Sequence, residues 1–262
     1  MLSRTASDAP IFAGADRPLV RALVTAKETH GSEGLGDLRD LPPPSAAAPS
    51  PRGLLDALLA APEPVTLVTL GPLTNLAQAL RENGALVRRR VGRHVMMGGN
   101  VAAAGNTGPY SEFNVWCDPE AADVVVRAGL GTEMVGLDVT RRLVLPGSAV
   151  AKLASHADPD ARWFGALLGF YVRFHHEHEG LHGAVMNDPL AVALAFEPGW
   201  GASERIPIAV DLGEGEDRGR TGVGGPGDPA VSVYREVDTG RVHELLLQYL
   251  FGRWLTKADF GP

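Results

Sequence analysis

Strands alternating with helices across short turns predict an α/β fold: an open, mainly parallel sheet covered by helices on both faces. Three features carry this expectation. Continuous apolar runs such as "VTLVTLG" (65–71) have the pattern of strands buried on both sides. Longer segments between them carry helix-start and helix-stop residues. Gly (32 residues) and Pro (20 residues) punctuate the chain often enough to keep connections short.

Taken in order, "LPPPSAAAPSP" (41–51) is too rich in proline for a helix or central strand and reads as an extended surface connection. "LLDALLAA" (54–61) is helical and 65–71 is a strand. "PLTNLAQALRENG" (72–84) has Pro near a helix start and Gly at its end. "RHVMMGGN" (93–100) is a strand running into a glycine loop. "DPEAADVVVRAG" (118–129) is a helix with Asp118 as N-cap, Pro119 at its first position and Glu120 in its first turn. "TEMVGLDVT" (132–140) reads as a strand, with "LDVT" its polar end. "SAVAKLASHA" and "ARWFGALLGFYVRFHHEH" read as helices, and "NDPLAVALAFEP" (187–198) repeats the Asp-Pro helix start. "IPIAVDLG" and "AVSVYREVD" are strands, and "GRVHELLLQYLFGRWL" is a closing helix.

Composition narrows the function. The formal net charge of -7 leaves no excess of Lys and Arg to displace counterions, which excludes a phosphate-backbone partner and favours a small molecule. One cysteine, Cys117, allows no intramolecular disulfide and suits a reducing compartment. No window approaches the roughly 18 apolar residues of a membrane span, and the first residues lack a signal-peptide core. The expectation is a cytoplasmic protein without a membrane partner.

Two stretches carry candidate chemistry. "HEGLH" (178–182) fits the zinc-peptidase pattern H-E-x-x-H, which needs both histidines on one face of a continuous helix. Gly180 inside it and Gly183 after it each cost a helix about 1 kcal/mol. A polar helix end with His175, His176, His178 and His182 solvated is the expectation instead. "VMMGGNVAAAGNTGPYSEFNVWCDPEA" (95–121) gathers Asn106, Glu112 and Asn114 on a glycine loop after a strand. Amides that donate and accept, beside a carboxylate that accepts, suit a polyhydroxylated ligand such as a sugar. Ordinary turn chemistry accounts for the same residues equally well. Asp188 reads by itself as an N-cap for the helix following Pro189.

Together these pieces resemble the inosine-uridine-preferring nucleoside hydrolase family. The resemblance is carried by "PIFAGADRPL" (10–19), "HGSEGLG" (30–36), "VTLVTLGPLTNLAQAL" (65–80), "VMMGGNVAAAGN" (95–106), "SEFNVWCDPEAADVV" (111–125), "MVGLDVT" (134–140), "NDPLAVA" (187–193) and "DRGRTGV…EVD" (217–238), in family order. It implies a Rossmann-like open sheet and hydrolysis of the N-glycosidic bond of ribonucleosides to ribose and free base, in nucleoside salvage. It implies Ca²⁺ as cofactor, activating the attacking water and holding the ribose 2′- and 3′-hydroxyls. A homo-oligomer, dimer or tetramer, is implied as well.

Carried over position by position, the resemblance makes Met97, Asn106, Glu112 and Asn114 ribose-site residues and puts His30 near the base. It makes Asp188 a Ca²⁺ ligand, together with the backbone carbonyl of Leu70. Asn187 stands where many members have a His that protonates the leaving base, and an amide cannot serve as that acid. Stacking on Tyr171, Phe174 or Trp116 is the substitute the residues offer. The family pattern opens with a strand ending in a D-x-D-x-x-x-D-D cluster, which supplies most Ca²⁺ ligands and the general base. The sequence starts downstream of it, and Asp8 and Asp16 lack its spacing. A single domain over 1–262, N-terminally truncated, with the first strand missing and the calcium site incomplete, is therefore expected. The alternative to turnover is a member that binds a ribose-containing ligand without hydrolysing it.

Overall fold

The computed structural model describes residues 9–38 and 52–260; Asp8 and the proline-rich stretch 41–51 lie outside the described residues. Apolar runs become β1 (Val65–Thr69), β2 (Val91–Met97) and β3 (Glu133–Val135). Later strands are β4 (Val144–Pro146), β5 (Gly183–Val185), β6 (Gly201–Val210), β7 (Thr221–Val223) and β8 (Ala230–Val237). Six of them form one sheet in the order β1-β2-β3-β8-β6-β7. β1, β2, β3 and β8 run parallel, while β6 is antiparallel to β8 and β7 to β6. The sheet is mainly parallel, as the sequence predicts, with an antiparallel end. β4 and β5 pair antiparallel as a separate ribbon, which the apolar periodicity did not reveal.

The helices are α1 (Lys27–His30), α2 (Gly53–Ala60), α3 (Thr74–Arg90), α4 (Phe113–Cys117), α5 (Pro119–Arg127), α6 (Leu137–Thr140), α7 (Gly147–Ala154), α8 (Pro159–Glu179), α9 (Asn187–Phe196) and α10 (Thr239–Leu246). Among the described residues, none is long and apolar enough to cross a membrane. Successive side chains of a strand point to opposite faces, and the core divides accordingly. Val95, Met97 and Val135 join one apolar cluster with residues of α7, α9 and α10. Met96 and Met134 join another with α2, α3 and α5.

Three expectations are corrected. The helix starting near Pro72 does not stop at Gly84. It kinks at Asn83 (φ -149°, ψ 69°) and continues to Arg90, because the Asn83 side chain accepts the Leu86 N–H at 3.0 Å and restarts the helix. The stretch 132–140 is not one strand. β3 covers three residues and "LDVT" is the helical turn α6, since the Leu137 N–H leaves the sheet to bond the carbonyl of Gly99 at 3.0 Å. The closing helix is regular only to Leu246 and widens to a π turn over Leu247–Phe251.

The sheet also buries a titratable group. His94 on β2 is fully enclosed between the hydroxyls of Thr69 (3.1 Å) and Thr132 (3.0 Å). Burial pushes its pKa down to about 4. The folded value lies below the unfolded one, so its stabilisation is complete above pH 6.5 and is lost as pH falls toward 4. Between pH 7 and pH 5, wild type is expected to lose about 2 kcal/mol more than His94→Gln. Urea denaturation at the two pH values measures this, and equal losses would refute it.

Candidate active site

A cavity of about 300 Å³ opens where β1, β2 and β3 end, the face of an open α/β sheet at which ligands bind. Leu70 follows β1, Met97 closes β2 and Leu137 follows β3, and all three line it. The loop after β2 supplies its polar wall. Gly99 takes the left-handed conformation (φ 75°), where a Cβ would stand 3.0 Å from the Thr221 hydroxyl and 3.1 Å from the Met134 sulfur. Glycine is what lets the chain turn there.

Glu112 organises this loop. It caps α4, with Oε1 accepting the Asn114 N–H at 2.9 Å and Oε2 accepting those of Val115 (3.2 Å) and Gly99 (3.0 Å). Burial raises its pKa to about 7 against the opposing pull of those three N–H groups, and the Asp188 charge adds to the rise. Asn106 Oδ1 accepts the Phe113 N–H at 2.9 Å, and Asn114 Nδ2 donates to the carbonyl and the sulfur of Met97 at 3.3 and 3.4 Å. Beneath the loop, Asp138 accepts N–H groups of Val101 (2.7 Å), Ala102 (2.8 Å) and Ala103 (3.2 Å). Arg141 donates to the carbonyls of Ala104 and Gly105 at 3.0 and 2.9 Å.

All eight positions singled out from the sequence, Met97, Asn106, Glu112, Asn114, His30, Leu70, Asn187 and Asp188, line this one cavity. Asp188 is not the N-cap of α9. That helix begins at Asn187, with no side-chain cap at Met186, so Asp188 lies in the first turn with no hydrogen-bond donor on its carboxylate among the described residues. Solvent reaches it, yet desolvation by the surrounding walls raises its pKa to about 6. The Asn187 amide donates to the Tyr171 hydroxyl at 3.1 Å. Of the aromatic candidates, Tyr171 and Phe174 line the cavity; Trp116 lies outside it, under the Arg218 guanidinium at 4.1 Å.

The histidines divide differently from the expectation. His176, His178 and His182 are exposed, but His175 is buried and lines the cavity. It shares one face of α8 with Leu168 and Tyr171, a spacing of three and four that the cluster of neighbouring histidines obscured. Gly180, left-handed at φ 67°, ends α8 between His178 and His182. The two histidines of "HEGLH" therefore do not share a helix face. His178 stacks on Phe174 and His182 approaches His176. A larger groove of about 780 Å³ runs beside β1, sharing Leu70 with the site but none of the other seven positions.

Of the oxygens that the family resemblance assigns to calcium, this cavity holds the Asp188 carboxylate and the Leu70 carbonyl, and the Glu112 oxygens are occupied by three N–H groups. Calcium takes roughly 6–8 oxygens. Among the described residues no group of three or more His, Cys, Asp or Glu side chains could hold a metal. These donors alone do not make a calcium site.

Comparison with known proteins adds an independent finding. A family profile described as inosine-uridine preferring nucleoside hydrolase matches residues 1–244. The pyrimidine-specific ribonucleoside hydrolase RihA of Enterobacter sp. (strain 638) is 39% identical over 202 residues, 76% of this chain and 63% of that protein. The RihA of Photobacterium profundum is 38% identical over 210 residues, 78% of this chain and 66% of that one. The chain thus spans slightly less than two thirds of these relatives. Among solved structures, a plant nucleoside hydrolase superimposes with a TM-score of 0.84 at 27% identity, covering 100% of this chain and 84% of its own. A purine-preferring ribonucleoside hydrolase from Gardnerella vaginalis gives 0.80 at 26% identity, covering 90% and 78%.

The loop's dependence on Asp138 is testable. Asp138→Ala strands three N–H groups and is expected to cost about 2 kcal/mol, with Asp138→Asn costing less because one oxygen acceptor remains. Urea denaturation and amide exchange at residues 101–103 read this out. Unchanged protection there would show that the carboxylate does not hold the loop.

Proposed function

Since the chain belongs to the inosine-uridine preferring nucleoside hydrolase family, we propose that it hydrolyses the N-glycosidic bond of ribonucleosides, releasing ribose and free base. The observation that supports this most is the convergence of Asn106, Glu112, Asn114 and Asp188 on one cavity at the strand ends. Asn106 and Asn114 offer amides to sugar hydroxyls, and Glu112 fixes the backbone that carries them. Departure of the base leaves positive charge on the ribose ring. The unpaired Asp188 carboxylate, ionised above pH 6, supplies negative charge to stabilise it. Asn187 cannot protonate the base.

Calcium is the cofactor the family resemblance suggests, with Asp188 and the Leu70 carbonyl as this chain's contributions. The shortage of further donors favours a second reading, in which the chain binds a ribose-containing ligand without turnover. Release of ribose from inosine and uridine, with Ca²⁺ added and with Ca²⁺ chelated, tests the first. Asp188→Asn is expected to lower kcat/KM about 100-fold. Calorimetric binding of a ribonucleoside without ribose release supports the second reading, and neither binding nor release would sink both.

The donor count makes its own prediction. Calorimetric titration of this chain with Ca²⁺ should show no affinity tighter than about 1 mM. A micromolar site would show that the chain supplies more ligands than Asp188 and Leu70.

A further inference from the structure

The loop that carries Asn106 cannot hold itself. Residues 101–105 read "VAAAG" and have no polar side-chain atom, so their backbone N–H and C=O groups must find partners elsewhere. One turn of helix, α6 with its C-cap Arg141, supplies them. Asp138 accepts the N–H groups of Val101, Ala102 and Ala103 at 2.7, 2.8 and 3.2 Å. Arg141 donates to the next two carbonyls, Ala104 at 3.0 Å and Gly105 at 2.9 Å. Asn106 follows directly. From there the chain doubles back, with the Gly105 N–H on the Pro109 carbonyl and the Asn106 and Thr107 N–H groups on that of Ser111. Asn106 Oδ1 is taken by the Phe113 N–H, and Nδ2 has no partner among the described residues. That nitrogen is the donor the side chain keeps for a ligand in the cavity it lines.

We propose that Arg141 is a positioning residue for sugar binding: its guanidinium clamps the Ala104 and Gly105 carbonyls and so sets the pose of the Asn106 amide. This assignment rests on the ribonucleoside reading above. A planar guanidinium presents its N–H groups in a fixed fork, so bonds to two successive peptides fix the direction of the chain as well as its position. Asp138 cannot do this, because its grip ends at Ala103 and leaves two peptides between it and Asn106. Among the described residues, Arg141 is also the one arginine or lysine lining the cavity, in company with the carboxylates of Glu28, Glu112, Glu179 and Asp188. A neutral sugar offers its charge nothing to attract. The influence of Arg141 on sugar binding therefore runs through the loop.

Two readouts separate this role from general stability. Arg141→Met keeps the aliphatic stem and removes the fork. In ligand-free protein, the N–H groups of Gly105 and Asn106 should then exchange about tenfold faster than in wild type, and those of residues 101–103 less than about twofold faster. Equal acceleration from 101 to 106, or none at 105 and 106, overturns the assignment. D-ribose affinity, read by NMR titration, should fall about tenfold in Arg141→Met and in Asn106→Ala. The double variant should fall no further than Asn106→Ala alone, because the two act as one unit. Losses that multiply show Arg141 acting apart from Asn106 and overturn the proposal, as does unchanged ribose affinity in Arg141→Met. Arg141→Lys keeps the charge without the fork and guards against a Met variant that does not fold. It should show the same exchange pattern, and wild-type rates at 105 and 106 would refute the clamp. Wild-type protein that binds neither ribose nor inosine overturns the ribonucleoside reading, and the assignment with it, whatever the exchange rates.

Discussion

One buried carboxylate governs the cavity. Glu112 accepts N–H groups from both ends of the loop it closes, Gly99 just after β2 and Asn114 and Val115 in the first turn of α4. Met97 and Asn114 are held in contact by that closure. Its charge is nonetheless costly. Three N–H bonds would by themselves hold a carboxylate well below its ordinary range, but burial outweighs them and the pKa rises from 4.5 to about 7. The ionised form therefore bears a net cost of about 3 kcal/mol in the fold. That cost is absent below pH 4.5, builds as pH rises from 4.5 to about 7 while Glu112 stays protonated in the fold and ionises in the unfolded chain, and is complete above 7. Asp188, raised to about 6, adds like charge to the same cavity. A ligand that gains positive charge in this cavity relieves both.

The antiparallel end of the sheet serves the same loop. Thr221 on β7 accepts the Asn100 N–H at 2.8 Å and donates to the Asn100 carbonyl at 2.7 Å. The Asn100 side chain then spans the loop, donating to the carbonyls of Ala103 and Tyr110. Ser111 donates to the Arg218 carbonyl just before β7. The "DRGRTGV" stretch thus acts through the loop backbone rather than through the cavity, and Arg218 is spent on Trp116. Its sequence position, more than 100 residues from the loop, hides this partnership from any local pattern.

Much of the architecture was legible because the signals were local. Asp118 caps α5 as its Asp-Pro context predicts, with Oδ1 on the Ala121 N–H. Its other oxygen takes the Leu19 N–H and the Thr74 hydroxyl, contacts 99 and 44 residues away that no local rule supplies. The strands β1, β2 and β8 and the strand-to-glycine turn at 97–99 were equally readable. The three-residue strands β4, β5 and β7 were not, since three residues are too few to show a period. The polar set of the cavity was legible through its resemblance to a family pattern; the residues alone were equally consistent with turn chemistry. His175 was illegible because its burial depends on where α8 lies, and its polar neighbours made the helix end look solvated.

The Asp-Pro dipeptides at 118 and 188 show how tertiary context turns one signal to two ends. At 118 the chain arrives from α4 in a non-helical conformation (φ -142°, ψ 72°), so Asp118 falls outside the next helix and caps it. At 188 the chain arrives from β5, whose pairing with β4 continues into a bond from the Met186 N–H to the Leu143 carbonyl at 2.9 Å. The carbonyl of Met186 then accepts the Leu190 N–H, which starts the helix at Asn187. Asp188 is carried past the capping position into the first turn, where its carboxylate has no N–H to accept. A propensity that would have tied up this carboxylate is overridden by a strand pairing of three residues. The ribbon β4–β5, invisible in the sequence, is therefore what leaves Asp188 free to serve the cavity.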